Sequence, residues 1–179
     1  MYRIKASIKG LAPLRYNRYL EQSKESANKK KMTHEQQKED AFRRSYYDDK
    51  NGFYIPSKAI SRCIVNGGKK VKVGRGSASA LLNAIMIFEE DKFFIGTKKY
   101  EIEQDAVRIP PKTGARVTQY WVIIPKWECN FSAVILDDVF PSEAAKEAIQ
   151  FAGMYYGLLD GRPQLGRFEL VGFKKEKVE

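Results

Sequence analysis

The sequence predicts an α+β fold in which an antiparallel sheet carries two helices on one face. Three observations predict it: strict apolar alternation over residues 2–8, two separated stretches with apolar residues at helical spacing, and strand-like segments bounded by Pro and Gly. With 179 residues and 43% apolar content, the chain has the material for one core, so a single domain over 1–179 is expected.

The elements follow in order. Tyr2, Ile4, Ala6 and Ile8 alternate with Arg3, Lys5, Ser7 and Lys9, giving a first strand with one apolar and one cationic face. From about 16 to 50 this pattern gives way to a Lys-rich polar stretch, with a helix possible over Ser23 to Ser45, and the segment reads as a helical or flexible insertion outside the core. Phe53 to Ile55 reads as a short strand. Ser57 is placed to cap a helix carrying Ile60, Cys63 and Ile64 on one side, and Gly67 and Gly68 to end it. ALLNAIMIF changes from helix to strand at a point the pattern does not fix. Strands are expected in KYEIEQDAVRIP, VTQYWVIIP and WECNFSAVILD. Pro141 and Ser142 open a helix with Ala145, Ala148, Ile149, Ala152 and Tyr156 at helical spacing, and GRFELVGF closes the chain as a strand. Reduced to its core, the order is strand, helix, strand, strand, helix, strand, the ferredoxin-like or RRM-like arrangement.

Charge narrows the function. Thirty-two Lys and Arg against 22 Asp and Glu give a formal charge of +10, which favours polyanionic partners. The surplus is confined to one half, since residues 1–75 hold 19 cations against 7 acids and the remainder 13 against 15. Four segments suit a phosphate chain. The first strand and its sequel offer Lys5, Lys9, Arg15 and Arg18, with Tyr16 and Tyr19 placed to stack on unpaired bases. Lys58 and Arg62 stand at a strand-to-helix junction, where free N–H groups favour an anion. Lys69, Lys70, Lys72 and Arg75 are spaced by small residues that permit close backbone approach. Arg162 and Arg167 lie in a turn with Gly157, Gly161 and Gly166. These cations are expected to converge on one groove.

Other classes are excluded or disfavoured. The glycine turn lacks the GK[ST] ending of a phosphate-binding loop and precedes its strand, so ATP and NAD use is not expected, and no cofactor is assigned. Cys63 and Cys129 lie in apolar runs without metal-ligand spacing, and are read as core residues. Glu89, Glu90 and Asp91, and Asp137 and Asp138, read as turn residues, so no metal is assigned. The N-terminus shows no signal-peptide pattern and no segment approaches the roughly 20 apolar residues of a membrane span, so a soluble, cytoplasmic protein without a membrane partner is expected.

Tyr54-Ile55-Pro56-Ser57-Lys58-Ala59-Ile60 and the stretch from Gly157 through Gly161-Arg162-Pro163-Gln164-Leu165-Gly166-Arg167-Phe168-Glu169 together resemble two motifs of the RAMP superfamily, the RRM-derived proteins that form the backbone of CRISPR effector complexes. The resemblance implies a binder of single-stranded RNA or DNA that assembles side by side along the strand, each copy covering a few nucleotides, or with CRISPR-type subunits. It assigns backbone contacts to Lys58, Arg62, Arg162 and Arg167, and places the 16–50 insertion at the family's variable thumb-like element. The closing motif also resembles short bacteriophage-encoded proteins, so a phage or mobile-element protein that binds or imitates a CRISPR subunit is the alternative. Some RAMP proteins cleave RNA. Here the sole histidine, His34, lies in the polar insertion, and Asp40, Asp48 and Asp49 sit among Lys, Arg and Tyr residues that suit local ion pairs, so no catalytic residue is assigned.

Overall fold

The computed structural model describes residues 1–20, 32–109, 112 and 114–178. In chain order its elements begin with β1 (Tyr2–Gly10), β2 (Leu14–Tyr16), α1 (His34–Arg43), β3 (Tyr47–Asp48), β4 (Gly52–Pro56) and α2 (Ser57–Gly67). A 3-10 turn (Gly68–Lys70) leads to β5 (Lys72–Val73), β6 (Gly76–Ser77), α3 (Ala78–Ile85), β7 (Met86–Ile87) and β8 (Lys92–Phe94). Then come β9 (Glu101–Ile109), β10 (Ala115–Ile124), β11 (Glu128–Ile135), α4 (Ser142–Phe151), a π-helical turn (Ala152–Tyr156) and β12 (Phe168–Lys177).

The main sheet has the order β12-β1-β11-β7 and every pairing is antiparallel. With β7 as second and β11 as third strand, this is the expected ferredoxin-like order. Tyr2, Ile4, Ala6 and Ile8 of β1 are buried beneath the helices with Cys129, Phe131, Ala133 and Ile135 of β11. The alternate residues form a face that no described element covers. On α2, Ile60, Cys63, Ile64 and Gly67 recur at i, i+3, i+4 and i+7 and make one buried stripe. Among the described residues no helix is long and apolar enough to cross a membrane.

Several local expectations change. Ser57 does not cap α2: Pro56 holds the cap position without a side-chain bond, and the Ser57 N–H donates to Asp91 O at 3.0 Å. Gly67 does not stop the helix by a left-handed turn. It lets two helices touch, since a Cβ there would lie 2.0 Å from Ala148 O and 2.6 Å from Ala152 N. The helix-to-strand change in ALLNAIMIF falls between Ile85 and Met86, where Leu136 N–H donates to Ile85 O at 2.9 Å and the edge of β11 captures the chain. The helix sought over Ser23 to Ser45 is α1. It starts where Thr33 and Gln36 form a capping box, and residues 21–31 lie outside the described residues.

The largest departure concerns β9 and β10. They leave the main sheet and form, with β2, a separate sheet of order β2-β10-β9. Gln104 to Ala106 and Ala115 to Thr118 are exposed at consecutive positions, so both faces of this stretch meet solvent, which a helix-covered central strand cannot allow. Only the inner end of β10, from Tyr120 to Val122, is continuously buried.

Candidate nucleic-acid interface

Two surfaces collect the candidate side chains, and the main sheet separates them. The first is a cationic belt on the helix layer. Lys58 and Arg62 are four residues apart on the exposed side of α2, and Lys69 and Lys70 follow in the 3-10 turn. Lys72 and Arg75 extend from the β5–β6 hairpin, and all six side chains are exposed. No Asp or Glu occurs anywhere between Lys50 and Glu89, and among the described residues none of these six cations has an ion-pair partner. Their charge is therefore free for a ligand.

The belt is joined to the closing glycine turn. Lys70 Nζ stands 4.7 Å from the Tyr155 ring centre, and Tyr155 lines a cleft of about 400 Å³ with Tyr156, Asp160, Gly161 and Arg162. The turn is tied down by glycine. Gly166 has φ +70°, and a Cβ there would lie 2.0 Å from Leu158 O, so only glycine lets the two arms of the loop meet. Burial pushes the Cys63 thiol up to about 12, with the Arg162 charge pulling the other way, so Arg162 is felt on α2. Arg167 Nε donates to Pro163 O at 2.7 Å, while the side chain remains exposed.

The second surface is the uncovered sheet face. Lys5 and Lys9 of β1 point to it, but Lys5 Nζ is 2.8 Å from Glu176, and Lys9 is flanked in register by Glu128 and Glu169. The Lys5 hydrogen bond holds the Glu176 carboxyl below the usual carboxylate range. A groove of about 680 Å³ crosses this face between β12 and β8. Beyond β8 an aromatic row continues: Phe94 to Tyr54 at 5.7 Å, Tyr54 to Tyr46 at 5.7 Å, and the Arg18 guanidinium 5.6 Å from Tyr46. Tyr19, 85% exposed, lies next to Arg18 in the chain.

Three expectations are corrected. The cations do not converge on one groove, because the period of two in β1 sends Lys5 and Lys9 to the face opposite the helices. Tyr16 cannot stack on a base: it is 1% exposed, packs on Phe53 at 5.5 Å, and its hydroxyl donates to Tyr54 O at 3.2 Å. The same period sends Tyr16 inward with Leu14. Arg15 is no free cation either, since it bonds Asp160 at 2.9 Å and Glu103 at 3.2 Å and lies 4.6 Å from the Trp121 ring. It braces the glycine turn against the β9–β10 hairpin.

The acidic residues serve local structure. Asp40 pairs with Arg44 at 3.0 Å and Glu89 with Arg3 at 2.8 Å, while Asp48 accepts the backbone N–H groups of Lys50 and Asn51. Those backbone bonds, with Lys92 3.6 Å away, hold the Asp48 carboxyl below its ordinary value. Asp137 accepts from Val139 N at 2.9 Å. His34 Nδ1 lies 2.6 Å from the Tyr120 hydroxyl and fastens α1 to β10. Among the described residues no group of His, Cys, Asp and Glu is arranged to hold a metal. Sequence reading missed Lys92, Phe94, Asn130, Gly172 and Lys174. Alternation within β8, β11 and β12 places each on the open face, a signal legible only once the strands are paired.

No family model and no curated protein matches the sequence. Solved structures do. One chain of the cryo-EM structure of the type III-B Cmr-beta bound to cognate target RNA superposes with a TM-score of 0.61 at 13% identity, over 98% of this chain and 61% of the other. The fold is shared with this Cmr chain. Cmr6 from Pyrococcus furiosus superposes with a TM-score of 0.53 at 11% identity, over 95% of this chain and 98% of that one. The chain thus spans about three-fifths of the Cmr-beta chain and nearly the whole of Cmr6.

Proposed function

We propose that the protein binds single-stranded RNA through its phosphate backbone, without cleaving it, as a cytoplasmic subunit of a CRISPR-type assembly. The observation that carries this reading is the belt: six cations on α2, the 3-10 turn and the β5–β6 hairpin, without ion-pair partners among the described residues, joined through Lys70 and Tyr155 to Arg162, with no carboxylate in the segment. Lysines and arginines along such a row replace the counterions released from the phosphates they meet, and the binding is indifferent to sequence there. Likeness to Cmr proteins, one of them solved with target RNA, favours RNA over DNA and a neighbour of the same fold.

A salt titration with a fluorescent single-stranded RNA tests the proposal. The logarithm of affinity is expected to fall linearly with the logarithm of salt, by roughly 0.7 for each phosphate engaged. In the Lys58→Ala, Arg62→Ala, Lys69→Ala, Lys70→Ala variant the slope should shrink by about 3 with the circular-dichroism spectrum unchanged. A slope indistinguishable from wild type removes the belt as the RNA surface. Purification with a stoichiometric RAMP-type subunit and no nucleic acid would turn the assignment toward a mobile-element protein that imitates such a subunit.

A further inference from the structure

The groove on the uncovered face has a different character from the belt. Its floor is one rung of the sheet, where Ser7 of β1 stands opposite Asn130 of β11 and Gly172 of β12. Gly172 contributes no side chain, so the floor is open there, and among the described residues neither the Ser7 hydroxyl nor the Asn130 amide makes a hydrogen bond. Phe94 forms one wall with a partly buried ring, held edge-on by Tyr54, and Lys92, 3.6 Å from Asp48, lies 5.0 Å from the Tyr54 ring. On the next rung Lys174 stands directly opposite Lys5. Like charges in register repel, and Lys5 alone has a carboxylate, Glu176 at 2.8 Å. An anion beside Lys174 relieves that pair.

We infer that this groove holds one unpaired nucleotide of the bound strand, its base stacked on Phe94, its edge read by Asn130 and Ser7, and its phosphate set by Lys174. The groove volume of about 680 Å³ suits a ligand of that size. An aromatic wall supplies stacking to any base, whereas an amide and a hydroxyl with free donors and acceptors distinguish one base edge from another. The belt therefore supplies affinity and the groove supplies preference. The inference rests on the RNA-binding reading and adds sequence discrimination to it.

Four short single-stranded RNAs, identical except for one central nucleotide flanked by abasic positions, are the probes, measured by anisotropy at low salt. Wild type is expected to prefer one base by about tenfold, the scale of one well-made hydrogen-bonded base contact. Asn130→Ala removes the reading group, and Gly172→Val fills the floor while leaving every lysine in place. Each should bring the preference below twofold by weakening the preferred probe about fivefold or more, toward the other three. Photocrosslinking of a 4-thiouridine probe should mark peptides of β8 or β11 in wild type and not in Gly172→Val. Equal affinity for all four probes in wild type, or a preference that survives both substitutions, overturns the groove and leaves the belt standing. Affinity unmoved by the four belt substitutions overturns the belt, and a groove crosslink in that same protein would still support the nucleotide site.

Discussion

Arg15 shows how a cation that looks available in sequence is spent in structure. Asp160 and Glu103 both bond its guanidinium and Trp121 lies beneath it, so its side chain is only 21% exposed. Arg15→Ala strands two carboxylates that lose their shared partner and is expected to cost about 2 kcal/mol, read as a lowered urea midpoint, with RNA affinity of the folded fraction unchanged. The cysteines make a second residue-scale prediction. Burial pushes both Cys63 and Cys129 up to about 12, and Tyr2 likewise, where burial acts together with nearby Asp137. For such acids the unfolded chain gives up its proton first. Stability from these groups is present below about pH 9 and declines as pH rises toward 12. In the native protein, a thiol reagent at pH 8 should modify neither cysteine within the time that urea-unfolded protein is fully labelled. Prompt labelling of native protein would place a thiol outside the core.

At the scale of elements, α2 is the part on which the site depends, because its inner side joins α4 and its outer side carries the belt. The junction is backbone on backbone at Gly67, where a Cβ meets Ala148 O and Ala152 N rather than a side chain that can turn aside. Gly67→Ala is therefore expected to cost about 3 kcal/mol or to force α2 away from α4, lowering the melting temperature sharply. Gly76→Ala is the matched control. A Cβ there meets nothing within 4 Å and the backbone is not in the left-handed region, so stability should change by less than about 0.5 kcal/mol. Equal losses at both positions would contradict this packing. The insertion helix α1 is held by Phe42, whose ring packs on Tyr47 at 5.0 Å and Tyr100 at 5.3 Å, and by polar contacts to one strand residue: the His34 ring to the Tyr120 hydroxyl and Arg44 to the Tyr120 carbonyl at 3.2 Å.

For the molecule as a whole, charge is arranged by face. On the helix layer the belt from α2 to β6 carries lysines and arginines without acids, while the uncovered face interleaves Lys5, Lys9 and Arg3 with Glu176, Glu128, Glu169 and Glu89. Screening at high salt should therefore abolish binding to a bare phosphate chain, through the belt, well before it erases preference among bases, through hydrogen bonds and stacking in the groove. Comparing the salt dependence of affinity with that of preference checks this division, and a common decline of both would contradict it.

The sequence determined the elements and their order, because periods of two and near four are local consequences of strand and helix geometry that tertiary contacts did not override in β1, α2, α4 or β12. It also determined the basic segment, since the absence of Asp and Glu from Lys50 to Glu89 needs no coordinates to see. Only the tertiary structure decided which cations act together. Strand pairing turned Lys5 and Lys9 away from Lys58 and Arg62, gave Arg15 its two carboxylates, buried Tyr16, and brought Asn130, Gly172 and Phe94 from three distant strands to one groove. Register and long-range partners depend on where the whole chain closes, and no local periodicity encodes that.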